Sequence, residues 1–216
     1  DSLKNTTWYE FNGVRWFETE SINIVISTTI CRLYRQFAQH VDKESAKIVY
    51  TIIKSLKTVG FKNAIMQQLA CIFLHHDPKF YSRLDTNEKL LGFEDGVYDF
   101  TIPGFREGRP DDYLTFSTGY NYIEYNPESK DTKDINEMLE KILPNPNILH
   151  YTLSILAKAI ATIMDEKFYM WTGISGANGK STLINFLEYT LGDYKTSIDV
   201  FKKFKLETWT ACVFWK

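Results

Sequence analysis

Met170-Trp171-Thr172-Gly173-Ile174-Ser175-Gly176-Ala177-Asn178-Gly179-Lys180-Ser181-Thr182 follows an apolar run that begins at Phe168, and it opens into Leu183-Ile184-Asn185-Phe186-Leu187. Leu183, Leu187 and Leu191 repeat at helical spacing, so the stretch reads as strand, loop, helix. Small residues let backbone amides turn inward around a polyphosphate, and a helix start adds unpaired N–H groups and the positive end of its dipole. The pattern predicts a phosphate-binding loop. Gly173, Gly176, Ala177, Asn178, Gly179 and Thr182 line it, Lys180 reaches the β and γ phosphates as the catalytic candidate, and the Ser181 hydroxyl takes one position on Mg²⁺. The usual G-x-x-x-x-G-K-[ST] spacing calls for glycine at 174, where Ile174 stands. Gly173 lies one place early, which reads as a one-residue insertion. A glycine-rich turn that merely precedes a helix is the plainer reading. Gly-Lys-Ser-Thr at the helix mouth, after an apolar strand, favours the phosphate loop.

Composition narrows the class. With 216 residues, 44% hydrophobic and 24% charged, the chain has the make-up of one large globular domain or two small ones. No run approaches the ~18 apolar residues of a membrane span, and no signal-peptide pattern follows Asp1. Cys31, Cys71 and Cys212 form no C-x-x-C pair, which leaves zinc and a disulfide framework unsupported and favours a reducing compartment. The net charge of −2 is unevenly spread. Lys and Arg outnumber Asp and Glu by 11 to 8 over residues 1–85, fall to 7 against 15 over 86–166, and recover to 7 against 4 beyond. The acidic middle is a poor phosphate-backbone surface, so a nucleic-acid footprint is expected on the flanking parts.

Outward from the loop, the rest of the chain reads as helices and small hairpins. Trp8-Tyr9-Glu10-Phe11 and Val14-Arg15-Trp16-Phe17 flank Asn12-Gly13, and a two-residue turn there would pair Glu10 with Arg15, Tyr9 with Trp16 and Trp8 with Phe17. The exposed aromatics beside Arg15 suit base stacking, although packing on the following helices is the favoured reading. Ile22 to His40 has helical periodicity, with a β-branched opening that leaves a strand open as an alternative. Ser45 to Val59 is a helix with Asp42 as N-cap and Gly60 closing it; Phe61 to Leu74 is the next, ending at His75-His76, which read as surface residues rather than metal ligands. Leu90–Phe93 and Val97–Phe100 form a second hairpin around Glu94-Asp95-Gly96. Residues 104–112 read as a polar loop whose Asp111 and Asp112 cap and solvate, and Tyr113 to Ser117 as a short strand. A helix over Lys133–Leu143 precedes Asn145-Pro146, the cap and first position of another, whose stripe is Leu149, Leu153, Leu156, Ile160 and Ile163.

These segments carry a resemblance. Trp8-Tyr9-Glu10-Phe11 to Arg15-Trp16, Leu91-Gly92-Phe93-Glu94-Asp95-Gly96-Val97-Tyr98-Asp99, Arg106-Glu107-Gly108-Arg109-Pro110-Asp111-Asp112-Tyr113 and the Gly-Ala-Asn-Gly-Lys-Ser loop stand in the order seen in poxvirus-type primase-helicases of large DNA viruses. The chain resembles that family's helicase-associated N-terminal domain and the start of its superfamily 3 ATPase. The resemblance implies an α+β chain: a helix-rich collar-like domain with small hairpins over residues 1–130, then over 131–216 a helical bridge and the first β-loop-α unit of a truncated AAA+-like NTPase. It implies ATP and Mg²⁺ as cofactors, single-stranded or forked DNA as partner, a hexameric homo-oligomeric ring in the parent, no membrane, and the host cytoplasm as the place of viral DNA replication.

Hydrolysis needs more than the loop. A second acidic motif completes the Mg²⁺ site and polarises water, and a neighbouring subunit supplies an arginine. Asp193, Asp199 and Glu207 stand isolated after Lys180, so the fragment is expected to bind nucleotide weakly and to be inactive by itself. Two other readings are a non-enzymatic module that assembles the ring or recruits a primase, and a different P-loop NTPase such as a small-molecule kinase.

Overall fold

Asn12-Gly13 turns the chain, but over four residues rather than two. Trp8–Phe11 (β1) and Trp16–Thr19 (β2) are antiparallel, with Phe11 opposite Trp16, Glu10 opposite Phe17 and Trp8 opposite Thr19. The expected register is therefore displaced by two residues, which keeps every side chain on its face. The cause lies in the turn. Gly13 adopts φ +100°, and Arg15 leaves the ladder to donate to Glu94 Oε1 at 2.7 Å, so the expected Glu10–Arg15 pair does not form. In this computed structural model the described residues are 7–163, 169, 171, 178–198 and 211–213. They form an α+β chain in two compact units, residues 1–12 with 16–84 and residues 13–15 with 85–216.

In the first unit, Trp8 meets Phe73 edge-on at 6.1 Å, and Tyr9 and Trp16 meet Phe80 at 5.8 and 5.0 Å. The hairpin aromatics thus pack on the helices that follow. Residues 22–38 are helical, as Ile22–Val25 (α1) and Cys31–Ala38 (α2) joined by a π-helical stretch over Ile26–Ile30. Here the β-branched opening gives a π-helical stretch within the helix instead of a strand. Ser27 and Thr28 hydroxyls donate back to the carbonyls of Asn23 and Ile24 at 2.8 and 2.7 Å, competing with the regular ladder. Asp42 caps Lys43–Leu56 (α3), accepting from the amides of Glu44 and Ser45. Gly60 does not close α3. The extended backbone of Thr58 separates α3 from Val59–His76 (α4), and Gly60 lies in the first turn of α4. Ile26, Cys31, Ala38, Val49, Ile53 and Leu56 make the core, and the short helix Phe80–Arg83 (α5) ends the unit.

The second unit holds the sheet that the Leu90 hairpin begins. Leu90–Gly92 (β3) pairs with Val97–Asp99 (β4), and Gly104–Arg106 (β5) adds a third antiparallel strand inside the expected polar loop. The expected strand at 113–117 is absent. Tyr113 has φ +51°, and the amides of Thr115 and Phe116 donate to the Asp85 carboxylate at 2.7 and 3.3 Å instead of to a neighbouring strand. Lys130–Ile142 (α6) starts three residues earlier than expected because Ser129 caps it, accepting from the Thr132 amide. Asn145 caps Pro146–Ile160 (α7) as expected. Lys180–Leu191 (α8) packs on both, with Leu139, Leu156, Leu183 and Leu187 as core. Leu153 and Ile163 of the expected α7 stripe are exposed. Thr196–Ile198 (β6) and Ala211–Val213 (β7) pair antiparallel. Phe168 and Met170 of the expected strand at 168–171 lie outside the described residues, and Tyr169 and Trp171 are in no strand. No helix among the described residues is long and apolar enough to cross a membrane.

Candidate functional site

Helix α8 begins where the sequence places the loop-to-helix junction. Gly179 is its N-cap in the left-handed region, φ +76°, a conformation that costs an L side chain about 1–2 kcal/mol. A Cβ there would also lie 2.7 Å from Ile142 Cγ1 of α6, so glycine is required for packing as well as for torsion. The first intrahelical bond runs from the Leu183 amide to the Gly179 carbonyl at 2.9 Å, and no side chain caps the terminus. The amides of Lys180, Ser181 and Thr182 therefore precede the first intrahelical donor, Leu183, at the positive end of the dipole.

Lys180 is half-buried, and its Nζ donates to Asn178 Oδ1 at 2.5 Å. Ser181 and Thr182 are exposed. Beside them lies a cleft of about 300 Å³ lined by Ile142, Thr152, Trp171, Asn178, Lys180 and Leu183. An ammonium group, helix-start amides and hydroxyls form a donor set with no carboxylate among the described lining residues, which suits a polyanion. Asn178, Gly179, Lys180, Ser181 and Thr182 are thus together; Gly173, Gly176 and Ala177 lie outside the described residues. Among the described residues no cluster of three His, Cys, Asp or Glu side chains offers a ready cation site. Asp193 is already engaged, accepting from the Ser117 amide at 3.0 Å. Asp199 and Glu207 lie outside the described residues.

The other end of α8 is tied to the sheet region by Tyr194, which the sequence did not single out. After α8, residues Gly192–Tyr194 form a 3-10 turn. The buried Tyr194 hydroxyl accepts from the Gly92 amide at 2.7 Å and donates to the Phe116 carbonyl at 3.2 Å, and burial raises its pKa. Glu94 accepts from Arg15 and from the Ser117 hydroxyl, both at 2.7 Å. Those two hydrogen bonds, Arg15 first, hold its carboxyl below the usual glutamate range. Asp112, 9% exposed, accepts from both terminal nitrogens of Arg106 and from the Arg109 amide, each at 2.8 Å. Asp112 is therefore a structural carboxylate of the Pro110–Asp112 3-10 turn. A Gly-rich hairpin and an R-x-x-R-P-D-D pattern were the available signals. The hairpin's partners, Arg15 for Glu94 and Tyr194 for Gly92, are too distant in sequence to be inferred, whereas Asp112 finds Arg106 and Arg109 within its own loop.

Residues 3–144 match the family described as D5 N terminal like. The chain belongs to that family. Three relatives extend the likeness. This D5 N terminal like chain is 37% identical over 217 residues to "Putative helicase L207/L206" of Acanthamoeba polyphaga mimivirus, covering 92% of this chain and 22% of the relative. It is 29% identical over 142 residues to "Putative helicase 121R" of Invertebrate iridescent virus 3, covering 65% and 15%. It is 28% identical over 247 residues to "Putative primase C962R" of African swine fever virus (strain Badajoz 1971 Vero-adapted), covering 98% and 24%. The chain thus spans about a fifth of the length of these curated relatives, and the D5 N terminal like match ends between α6 and α7, before α8.

Proposed function

We propose that this chain is the N-terminal part of an ATP-dependent DNA helicase of the primase-helicase type, acting in viral DNA replication in the host cytoplasm. Residues 1–130 form its collar-like domain. Residues 131–216 form the bridge and the start of its motor, within a hexameric ring on single-stranded or forked DNA. The observation that carries the reading is the uncapped start of α8, where Gly179 holds a left-handed torsion and Lys180 lies beside Asn178 at the cleft. It occurs in a chain whose relatives bear helicase and primase names.

In this reading Lys180 neutralises the β and γ phosphates, the amides at the start of α8 donate to their oxygens, and Ser181 ligates Mg²⁺. Gly173, Gly176 and Ala177 complete the cradle, with Asn178 orienting the lysine and Thr182 closing the first turn. Mg²⁺-ATP supplies the phosphoanhydride bond whose cleavage drives unwinding in the parent. Binding of a fluorescent ATP analogue with Mg²⁺ to this chain tests the site. Lys180→Ala is expected to weaken binding about tenfold or more, the scale of a lost charge-assisted contact. Hydrolysis is expected to be negligible with or without single-stranded DNA. Equal affinity of both proteins would remove the phosphate-loop reading.

Helix α4 favours a second reading, the assembly module. Ala70 is its one buried residue, while Val59, Phe61, Ile72, Phe73 and Leu74 are exposed at 44–68%. A helix apolar around most of its circumference is ordinarily covered. Sedimentation of the nucleotide-free chain distinguishes the two: a stable oligomer that persists in Lys180→Ala supports assembly as the role of this part.

A further inference from the structure

Helix α3 carries a one-sided cationic stripe that neither the nucleotide site nor the core explains. Lys43, Lys47, Tyr50, Lys54 and Lys57 (the helix C-cap) follow one another at steps of four, three, four and three residues. At 3.6 residues per turn they fall within an arc of about 80° and extend about 21 Å along the axis. All five are exposed, Tyr50 at 51%. The buried residues of α3, Val49, Ile53 and Leu56, lie on a different face. None of the four lysines pairs with a carboxylate among the described residues. Glu44 is the one acid within α3 and falls about 60° beyond Lys47, at the flank of the stripe.

We propose that this face of α3 binds single-stranded nucleic acid, the lysines neutralising successive phosphates and Tyr50 offering its ring to a base. A solvated lysine face is usually interleaved with acids that support it at i,i+4, and this arc has none. Cations at axial intervals of about 6, 10.5 and 4.5 Å, the widest spanned by Tyr50, follow a flexible phosphate chain. Tyr50, set among them with no place in the core, supplies the stacking platform that a bare duplex or an anionic lipid surface would leave idle. The inference names a contact surface in the first unit and does not depend on the α8 site.

Fluorescence anisotropy of a labelled oligothymidylate, titrated with the full 216-residue chain in the absence of nucleotide, reads this surface separately from ATP binding. Four neutralised phosphates predict that log K falls against log salt with a slope of about −3. The combined variant Lys43→Gln, Lys47→Gln, Lys54→Gln and Lys57→Gln, which keeps helix propensity, should lose most of that slope and about tenfold or more in affinity at low salt. Tyr50→Ala should weaken binding about fivefold or more with the slope unchanged. Replacing Lys130, Lys133 and Lys141 of α6 by Gln should change neither quantity, and far-UV circular dichroism verifies that all variants are folded. Wild-type affinity and slope in the four-lysine variant would overturn the proposal. So would absence of oligonucleotide binding by the wild type, or binding of anionic vesicles in its place.

Discussion

Gly179 sits at φ +76° with Ile142 where a methyl group would go, so Gly179→Ala meets two separate penalties. The torsion alone costs about 1–2 kcal/mol, and displacement of the Ile142 side chain adds to it. Urea denaturation should show a loss of about 2 kcal/mol or more for Gly179→Ala; in the background of Ile142→Ala, which removes both clashing γ carbons, the same substitution should cost less, leaving mainly the torsional part. Asp112 poses the opposite problem, an acceptor rather than a gap. Its removal strands Arg106, whose remaining carboxylate partner, Asp99, lies at 3.4 Å. A fully buried pair broken on one side costs about 3–5 kcal/mol; with Arg106 at 25% side-chain exposure, Asp112→Ala should cost about 2–3 kcal/mol. Glu94 makes a pH prediction. Its pKa is lowered in the folded state, so its contribution is present above the ordinary value of 4.5 and lost as pH falls through the lowered one. Denaturation midpoints measured from neutral pH downward should fall less steeply below about pH 4.5 in Glu94→Gln than in the wild type.

At the level of elements, what was legible in the sequence depended on whether the signal was local. Asp42, Asn145 and the leucines of α8 announce their helices because a cap and a 3.6-residue period act within one or two turns. Asn145→Ala should accordingly destabilise the protein by about 1 kcal/mol, read as a lower thermal midpoint, with Pro146 still holding the first turn. Strand β5 escaped because three residues, one of them glycine, carry no alternation, and its pairing with β4 is what makes it a strand. The β1–β2 register escaped for a related reason. Asn-Gly signals a turn, while Arg15 is taken by Glu94, 79 residues away, and local pairing rules contain no term for that competitor. The candidate site divides in the same way: Gly179, Lys180 and the α8 stripe were local, whereas Ile142, which shapes the junction, comes from another helix.

For the molecule as a whole, the second unit gains its coherence from contacts that span long stretches of chain and converge on the end of α8. Gly192 passes so near Thr118 that a Cβ would lie 2.5 Å from that carbonyl oxygen, and the Asp193 amide donates to the Ser117 carbonyl at 3.0 Å. The Tyr194 hydroxyl bridges Gly92 and Phe116. Segments near residues 92, 117 and 193 thereby hold one another, and α8, which presents Lys180 at its start, is fixed at its finish to the β3 region. Tyr194→Phe tests that arrangement with the loss of one oxygen. The ring and its edge-on contact with Phe116 at 5.7 Å should survive, so little cavity forms. The Gly92 amide, however, loses its acceptor in a buried setting, which costs about 1–3 kcal/mol. Chemical denaturation should show that loss. Hydrogen exchange should show faster exchange at the Gly92 and Asp193 amides together, since both depend on the same junction, while the amides of α3 in the first unit keep their wild-type rates. Faster exchange confined to Gly92 would mean that the hydroxyl caps a single amide and that α8 is held by Asp193 and Gly192 without it.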